Sequence, residues 1–140
     1  MAIPQVHNST NSIIMTIQIF TLCEFAQTAN GKTTIVGTFN HISPTAFPFI
    51  MPDIYVVLKL SFNESIDNSL SITLREKGGP DIVTTGAQPL KINVTDGREA
   101  IHDIVLRINQ VAFQKPGDYE VVFKIGKEEY QTNLYVDAIK

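Results

Sequence analysis

Ile54-Tyr-Val-Val-Leu-Lys-Leu-Ser-Phe62 decides the architecture, because Ile54, Val56, Leu58, Leu60 and Phe62 fall on one side of an extended chain. Successive side chains of a strand point to opposite faces, so this period of two marks a half-buried strand. The rhythm recurs outward in both directions, in about eight short runs separated by turn signals. Downstream, Leu70-Ser-Ile-Thr-Leu74 alternates strictly after a polar loop at 63–68, and weaker strand material lies near 82–84 and 90–94. Ile104, Leu106 and Ile108 are in phase within a long run from Ile101 to Phe113. Tyr119–Ile125 and Tyr130–Ala138 flank Gly126-Lys-Glu128 and read as a terminal hairpin. Upstream, the run from Met15 to Gln27 is long and changes its apolar face partway: Ile17 and Ile19 are in phase with Cys23 and Phe25, but Phe20 and Leu22 are not. That pattern predicts burial on both faces or a bulge near Phe20. Ala29-Asn-Gly-Lys32 is a hairpin turn, since Asn and Gly tolerate positive φ, and it pairs the first strand with Thr33 to Asn40. Gly37 in that partner implies a bulge or a large side chain lying over the backbone.

No segment of ten or more residues carries a helical apolar period, so little or no helix is expected. Antiparallel strands, short turns and one long crossover predict an all-β fold, an immunoglobulin-like antiparallel β-sandwich of about eight strands with Greek-key connections. Phe113-Gln-Lys-Pro-Gly-Asp-Tyr119, a tight turn followed by Tyr at a strand entry, fits that class. Residues 1–13 are polar and aperiodic and read as an N-terminal arm; residues 14–140 read as one sandwich domain. A chain of this length buries roughly 70% of its unfolded surface, so it needs no disulfide or metal to hold it.

Composition narrows the function classes. The net charge of −3 and eleven scattered Lys and Arg argue against a nucleic-acid binder, which needs a basic face. No run approaches the ~20 apolar residues of a membrane span. The first ten residues lack the basic and continuously apolar regions of a signal peptide. One cysteine, Cys23, excludes an internal disulfide framework and reads as a small buried hydrophobe. The expectation is a soluble cytoplasmic protein. Asn-x-Ser/Thr triplets at Asn8, Asn63 and Asn93 occur at about chance frequency and do not argue for secretion.

The residues of catalysis are present but scattered. His7 lies in the arm, His41 opens the Pro-rich crossover, and His102 and Asp103 are neighbours on a strand that point to opposite faces. None makes a metal-ligand cluster, and Cys23 lies too early for a blue-copper loop. No Gly-x-Ser-x-Gly elbow or P-loop occurs. Asp53 and Asp118 are conceivable hydrolytic carboxylates, but nothing sets their separation. The acidic turns at 64–67 and 96–99 read as solvated loops rather than a calcium site. No Trp offers a stacking platform for sugars, and the four Tyr lie at strand positions. No cofactor is expected.

The crossover His41-Ile-Ser-Pro-Thr-Ala-Phe-Pro-Phe-Ile-Met-Pro-Asp53 is the oddest segment. Its three prolines argue against a central strand, yet five of its thirteen residues are large and apolar. The plainer reading is that these residues plug the open end of the sandwich. The sharper one is that Phe47, Phe49, Ile50 and Met51 form an exposed apolar lip that docks a partner.

The run from Cys23 through Gly31-Lys32 to Gly37 and Phe39 resembles a family of small bacterial proteins known only as a domain of unknown function. That family opens with Cys, an acid, an aromatic and Ala, then has a Gly-Lys hairpin and an Ile-x-Gly strand. Phe47-Pro48, the alternating strand that follows and the Pro116-to-Tyr119 turn also fit, so the resemblance spans residues 16–137. Phe25 departs from the family's more frequent Tyr, which removes a hydroxyl. The resemblance implies an immunoglobulin-like β-sandwich and carries no catalytic residues. Taken with the residues themselves, it leads to a non-enzymatic module for protein interaction or structure, with a homo-oligomer or another protein as partner. The alternative is a small-ligand or carbohydrate-binding module using loops at one end, and less favoured still is a carboxylate-based hydrolase.

Overall fold

The alternating runs become strands in a computed structural model that describes residues 3–4 and 15–139. The strands are β1 (Ile3–Pro4), β2 (Met15–Ala29), β3 (Lys32–Phe39), β4 (His41–Ile42), β5 (Phe49–Phe62), β6 (Ile66–Glu76), β7 (Asp81–Thr84), β8 (Gln88–Ile92), β9 (Ala100–Phe113), β10 (Gly117–Ile125) and β11 (Glu128–Val136). There is no helix among the described residues, and so none long and apolar enough to cross a membrane. Most of the expected arm at 1–13, with His7, lies outside the described residues.

Two sheets form a sandwich. The first runs β1-β2-β5-β9, with β3 also on β2; the second runs β4-β11-β10-β6-β7, with β8 also on β6. On one side β2 and β6 each carry two shorter strands in succession: β1 lies opposite Thr16 and Ile17 of β2, and β3 opposite Leu22 to Ala29. Likewise β8 covers Ile66 to Leu70 of β6 and β7 covers Thr73 to Arg75. All pairings are antiparallel except β4 with β11. The polar loop expected at 63–68 is therefore shorter, because Ile66 to Ser69 are held in the sheet by β8.

The decisive stretch is the centre of the first sheet. Ile54, Val56, Leu58, Leu60 and Phe62 are fully buried and form one core with Ile72 and Leu74 of β6, Val121, Phe123 and Ile125 of β10, and Leu134 of β11. Burying each such side chain contributes about 1.5–3 kcal/mol relative to leaving it exposed. The bulge expected near Phe20 is at Gln18: Ile17 pairs with Leu60 but Ile19 with Lys59. The extra residue turns Phe20 into the core, where its ring meets Phe123 edge-on at 4.9 Å.

A second irregularity corrects the crossover. Despite Pro52, β5 begins at Phe49, and the ladder to β9 skips only the Pro52–Gln110 position before resuming at Met51–Val111. Pro52 has no N–H to offer there, and Gln110 opposite it takes a left-handed φ of 52°. The break shifts the inward face by one residue. On β9 both Ile108 and Val111 are buried, and on β5 Ile54 is followed inward by Met51 rather than Pro52. The prolines thus leave only residues 43–48 outside strands.

At the other end, Tyr119 opens β10, donates its hydroxyl to the Lys115 carbonyl at 2.6 Å and packs edge-on against Phe113. On the outer side of the second sheet, buried Glu120 accepts from Arg75 Nε at 2.7 Å, which raises the guanidinium pKa. That pairing removes the cost of an isolated buried charge.

Candidate functional site

The outer face of the first sheet, turned away from the sandwich core, is not the polar surface that alternation leaves on a one-sided sheet. Ile19, Cys23, Tyr55, Val57 and Val105 gather there. β2 pairs with β5 only as far as Cys23, and beyond that point the β2–β3 hairpin continues without β5. Its Ala26 and Ile35 join these residues in a second apolar cluster in which Cys23, Ala26 and Val57 are buried. Near the hairpin tip, Thr33 donates its hydroxyl to Asp103 Oδ2 of β9 at 2.8 Å, although β5 lies between β2 and β9 in the sheet. The hairpin therefore lies across the outer face as a partial third layer.

Local sequence explains why the hairpin bends this way. Gly37 takes φ 68°, and the Glu24 side chain lies 2.9 Å from where a Cβ would sit. The positive φ favours glycine, and the flexible Glu24 side chain takes the space that a Cβ would fill. Phe25 stands on the hairpin's outer flank, 41% exposed, with its ring edge-on to Tyr55 at 5.5 Å. Cys23 donates weakly to the Phe25 carbonyl, and burial pushes its thiol pKa up, so it is an inert packing residue.

Beyond Tyr55 the face opens into a shallow depression of about 490 Å³ lined by Pro52, Asp53, Arg107, Asn109 and Gln110. Arg107 Nε holds Asp53 Oδ1 at 2.8 Å, and that hydrogen bond raises the guanidinium pKa. The depression sits where the two strands switch face, so the left-handed turn at Gln110 shapes its floor.

The depression borders the free edge of β9. Among the described residues, β9 pairs with β5 along its length and with no strand on the other side. Exposed edges invite strand addition, and proteins blunt them with short strands, prolines, lysines or bulges. Those devices guard the other edges: β4 has two residues, β7 has four, β8 carries Pro89 and Lys91, and β3 carries Lys32 and the left-handed Gly37. β11 is covered by β4 only at Tyr135 and Val136, so its edge is open from Glu128 to Leu134, with two glutamates at the start. β9 has fourteen residues with no proline and no lysine, and half-buried Ile104, Val105 and Leu106 lie at its middle.

The residues singled out from sequence are divided by the face switch. Phe47, Phe49 and Met51 are partly buried and pack on the main core, whereas Ile50 is 59% exposed opposite Ala112. His41 Nε2 meets Asp137 Oδ2 at 2.6 Å on the exposed β4–β11 seam, and His102 is exposed on β9. Asp53 is taken by Arg107, and Asp118 is exposed on β10 opposite Tyr135. No three His, Cys, Asp or Glu of the described residues come together as a group able to hold a metal ion. Sequence reasoning weighed Asp103 only as the neighbour of His102 and missed Arg107 and the β9 edge. Their signal, Asp103-Ile-Val-Leu-Arg107, is visible as opposite charges flanking an apolar triplet, but it means little until β9 is known to be an edge.

Among known proteins, a family model described as a family of unknown function, DUF6941, matches residues 18–137. No curated protein matches the chain.

Proposed function

We propose a role for this chain as a member of DUF6941, the family of unknown function to which it belongs: a non-enzymatic protein-interaction module that binds by adding a strand to the free edge of β9. The observation that carries this reading is the length of the β9 edge, fourteen residues interrupted only at Gln110, against the shorter uncovered stretch Glu128–Leu134 of β11 and the short or proline- and lysine-bearing strands at the other edges. The titratable groups support a non-catalytic reading, since Arg75–Glu120, Arg107–Asp53, His41–Asp137 and Lys115–Glu76 pair with one another across strands and turns. The finer assignment, an immunoglobulin-like sandwich of a bacterial cytoplasm, draws on the Tyr119 hydroxyl bond to the backbone four residues upstream, a corner common in such sandwiches. The buried lone thiol of Cys23 fits a reducing compartment.

The test is in-cell photo-crosslinking with benzoylphenylalanine at Ile101 or Asn109 on the β9 edge, and at Lys124 on the outer face of the second sheet as control. Adducts from both β9 positions, absent at Lys124 and weakened by Val105→Lys, are expected. Adducts equally strong from Lys124, or none from β9, overturn the edge reading. A second reading, a small-ligand or carbohydrate module, is favoured by Asp53, Arg107 and Asn109 around the depression. It predicts oligosaccharide-dependent chemical-shift changes confined to Arg107 and Asn109.

A further inference from the structure

We infer that the strand added to β9 is β9 of a second copy, antiparallel and centred on Val105, so that the protein is a two-fold dimer with the first sheets joined edge to edge. This rests on the edge reading above and names its partner. The argument is self-complementarity. A two-fold axis through Val105 places Asp103 opposite the partner's Arg107 and Arg107 opposite the partner's Asp103, so each opposite-charge contact occurs twice. It also places Ile104 opposite the partner's Leu106. Ile104 and Leu106 face the core, since they pair with Leu58 and Val56 of β5, and both are half-buried in one copy. The same register would therefore extend the main core across the junction.

The single copy leaves these groups with capacity to spare. Asp103 Oδ2 accepts from Thr33, but its Oδ1 is buried with no hydrogen-bond partner among the described residues. A buried acceptor left unmet costs stability, and a cation brought across the edge offsets that cost. Arg107 is exposed and uses Nε on Asp53, which leaves its terminal nitrogens for a second carboxylate. A parallel arrangement would instead set Asp103 beside the partner's Asp103, so charge selects the antiparallel register. That register also closes, because one two-fold axis consumes both free edges and leaves none to propagate. Residues 101–109 add about eight backbone hydrogen bonds to the junction. The left-handed Gln110 ends the pairing on one side.

The experiment measures the dimer dissociation constant of the full chain by sedimentation equilibrium, with circular dichroism as the folding control. Asp103→Arg alone and Arg107→Asp alone each set like charges opposite one another twice, and each raises the dissociation constant about tenfold or more. An equimolar mixture of the two variants restores tight association, because Arg faces Asp at both positions of the mixed pair. A variant that merely misfolds is not rescued by mixing. A wild-type chain that stays monomeric overturns the second copy, and if β9 crosslinks to other proteins persist then the edge reading stands. A wild-type dimer indifferent to both reversals, or a mixture no tighter than its components, overturns the register.

Discussion

At the residue scale, burial raises the pKa of Cys23, Tyr119 and Tyr130, whereas paired carboxylates raise those of Arg75 and Arg107. Tyr130 is 5% exposed and stacks on Phe123 at 4.9 Å, and burial together with Glu128 pushes its hydroxyl up to about 12. Tyr119 is raised in the same direction by burial first and Glu76 second. The unfolded chain titrates its tyrosines near ~10, so above that pH it releases protons that the folded state retains. Stability is therefore fully present below about pH 10 and falls as pH rises toward the folded value. The expected result is a urea midpoint that declines between about pH 10 and about pH 12, with a shallower decline in Tyr130→Phe. Equal slopes in the two proteins would remove Tyr130 from the account.

At the element scale, the telling feature is the shared face switch of β5 and β9. A strand keeps its inward face only while the period of two holds, and the Pro52–Gln110 position breaks it on both strands at once. The break is borne by backbone conformation: Gln110 holds φ 52° although it is not glycine. A left-handed L-residue costs about 1–2 kcal/mol, more when β-branched. Gln110→Gly is accordingly expected to be neutral or up to about 1 kcal/mol more stable, and Gln110→Val less stable by about 1–2 kcal/mol, read from denaturation midpoints. Its side chain is exposed, so lost packing does not confuse the comparison. Equal midpoints would mean that Gln110 is not what turns the strand.

At the scale of the whole molecule, the crossover belongs partly to the core that joins the sheets. Phe49→Ser removes a ring packed against that core and is expected to cost about 2–3 kcal/mol, below the range for a fully buried Phe because Phe49 is only half-buried. Ile50→Ser, one residue on, is expected to change stability by less than about 0.5 kcal/mol because Ile50 faces solvent. Thermal unfolding of the two variants checks the division, and a large loss in Ile50→Ser would place the switch elsewhere. The hairpin on the outer face extends the same logic, since a third layer exists only where Val57 and Val105 offer it an apolar floor.

The strands of the core were legible because their signal is local. Alternation in Ile54–Phe62 and Leu70–Leu74 and the Asn30-Gly31 turn each depend on neighbours in sequence, and each is in the structure where those residues predict it. The expected turn at Pro116-Gly117 gives way to strand, because Gly117 and Asp118 already pair with Val136 and Tyr135. Ile66 to Ser69 were less legible, because their strand character comes from β8 and not from their own polar pattern. Local pattern is enough for an all-β sandwich, its main hairpins and the inward face of its central strand. That Phe49 and Met51 turn inward beside an outward Ile50, that the β2–β3 hairpin covers one sheet, and that β9 is left as an open edge follow from the assembled fold. Each of those depends on which distant strand arrives alongside: Gln110 against Pro52, Thr33 against Asp103, nothing against the far side of β9 among the described residues. A repeat of two along the chain states which side chains share a face, but an edge is defined by a neighbour that is not there.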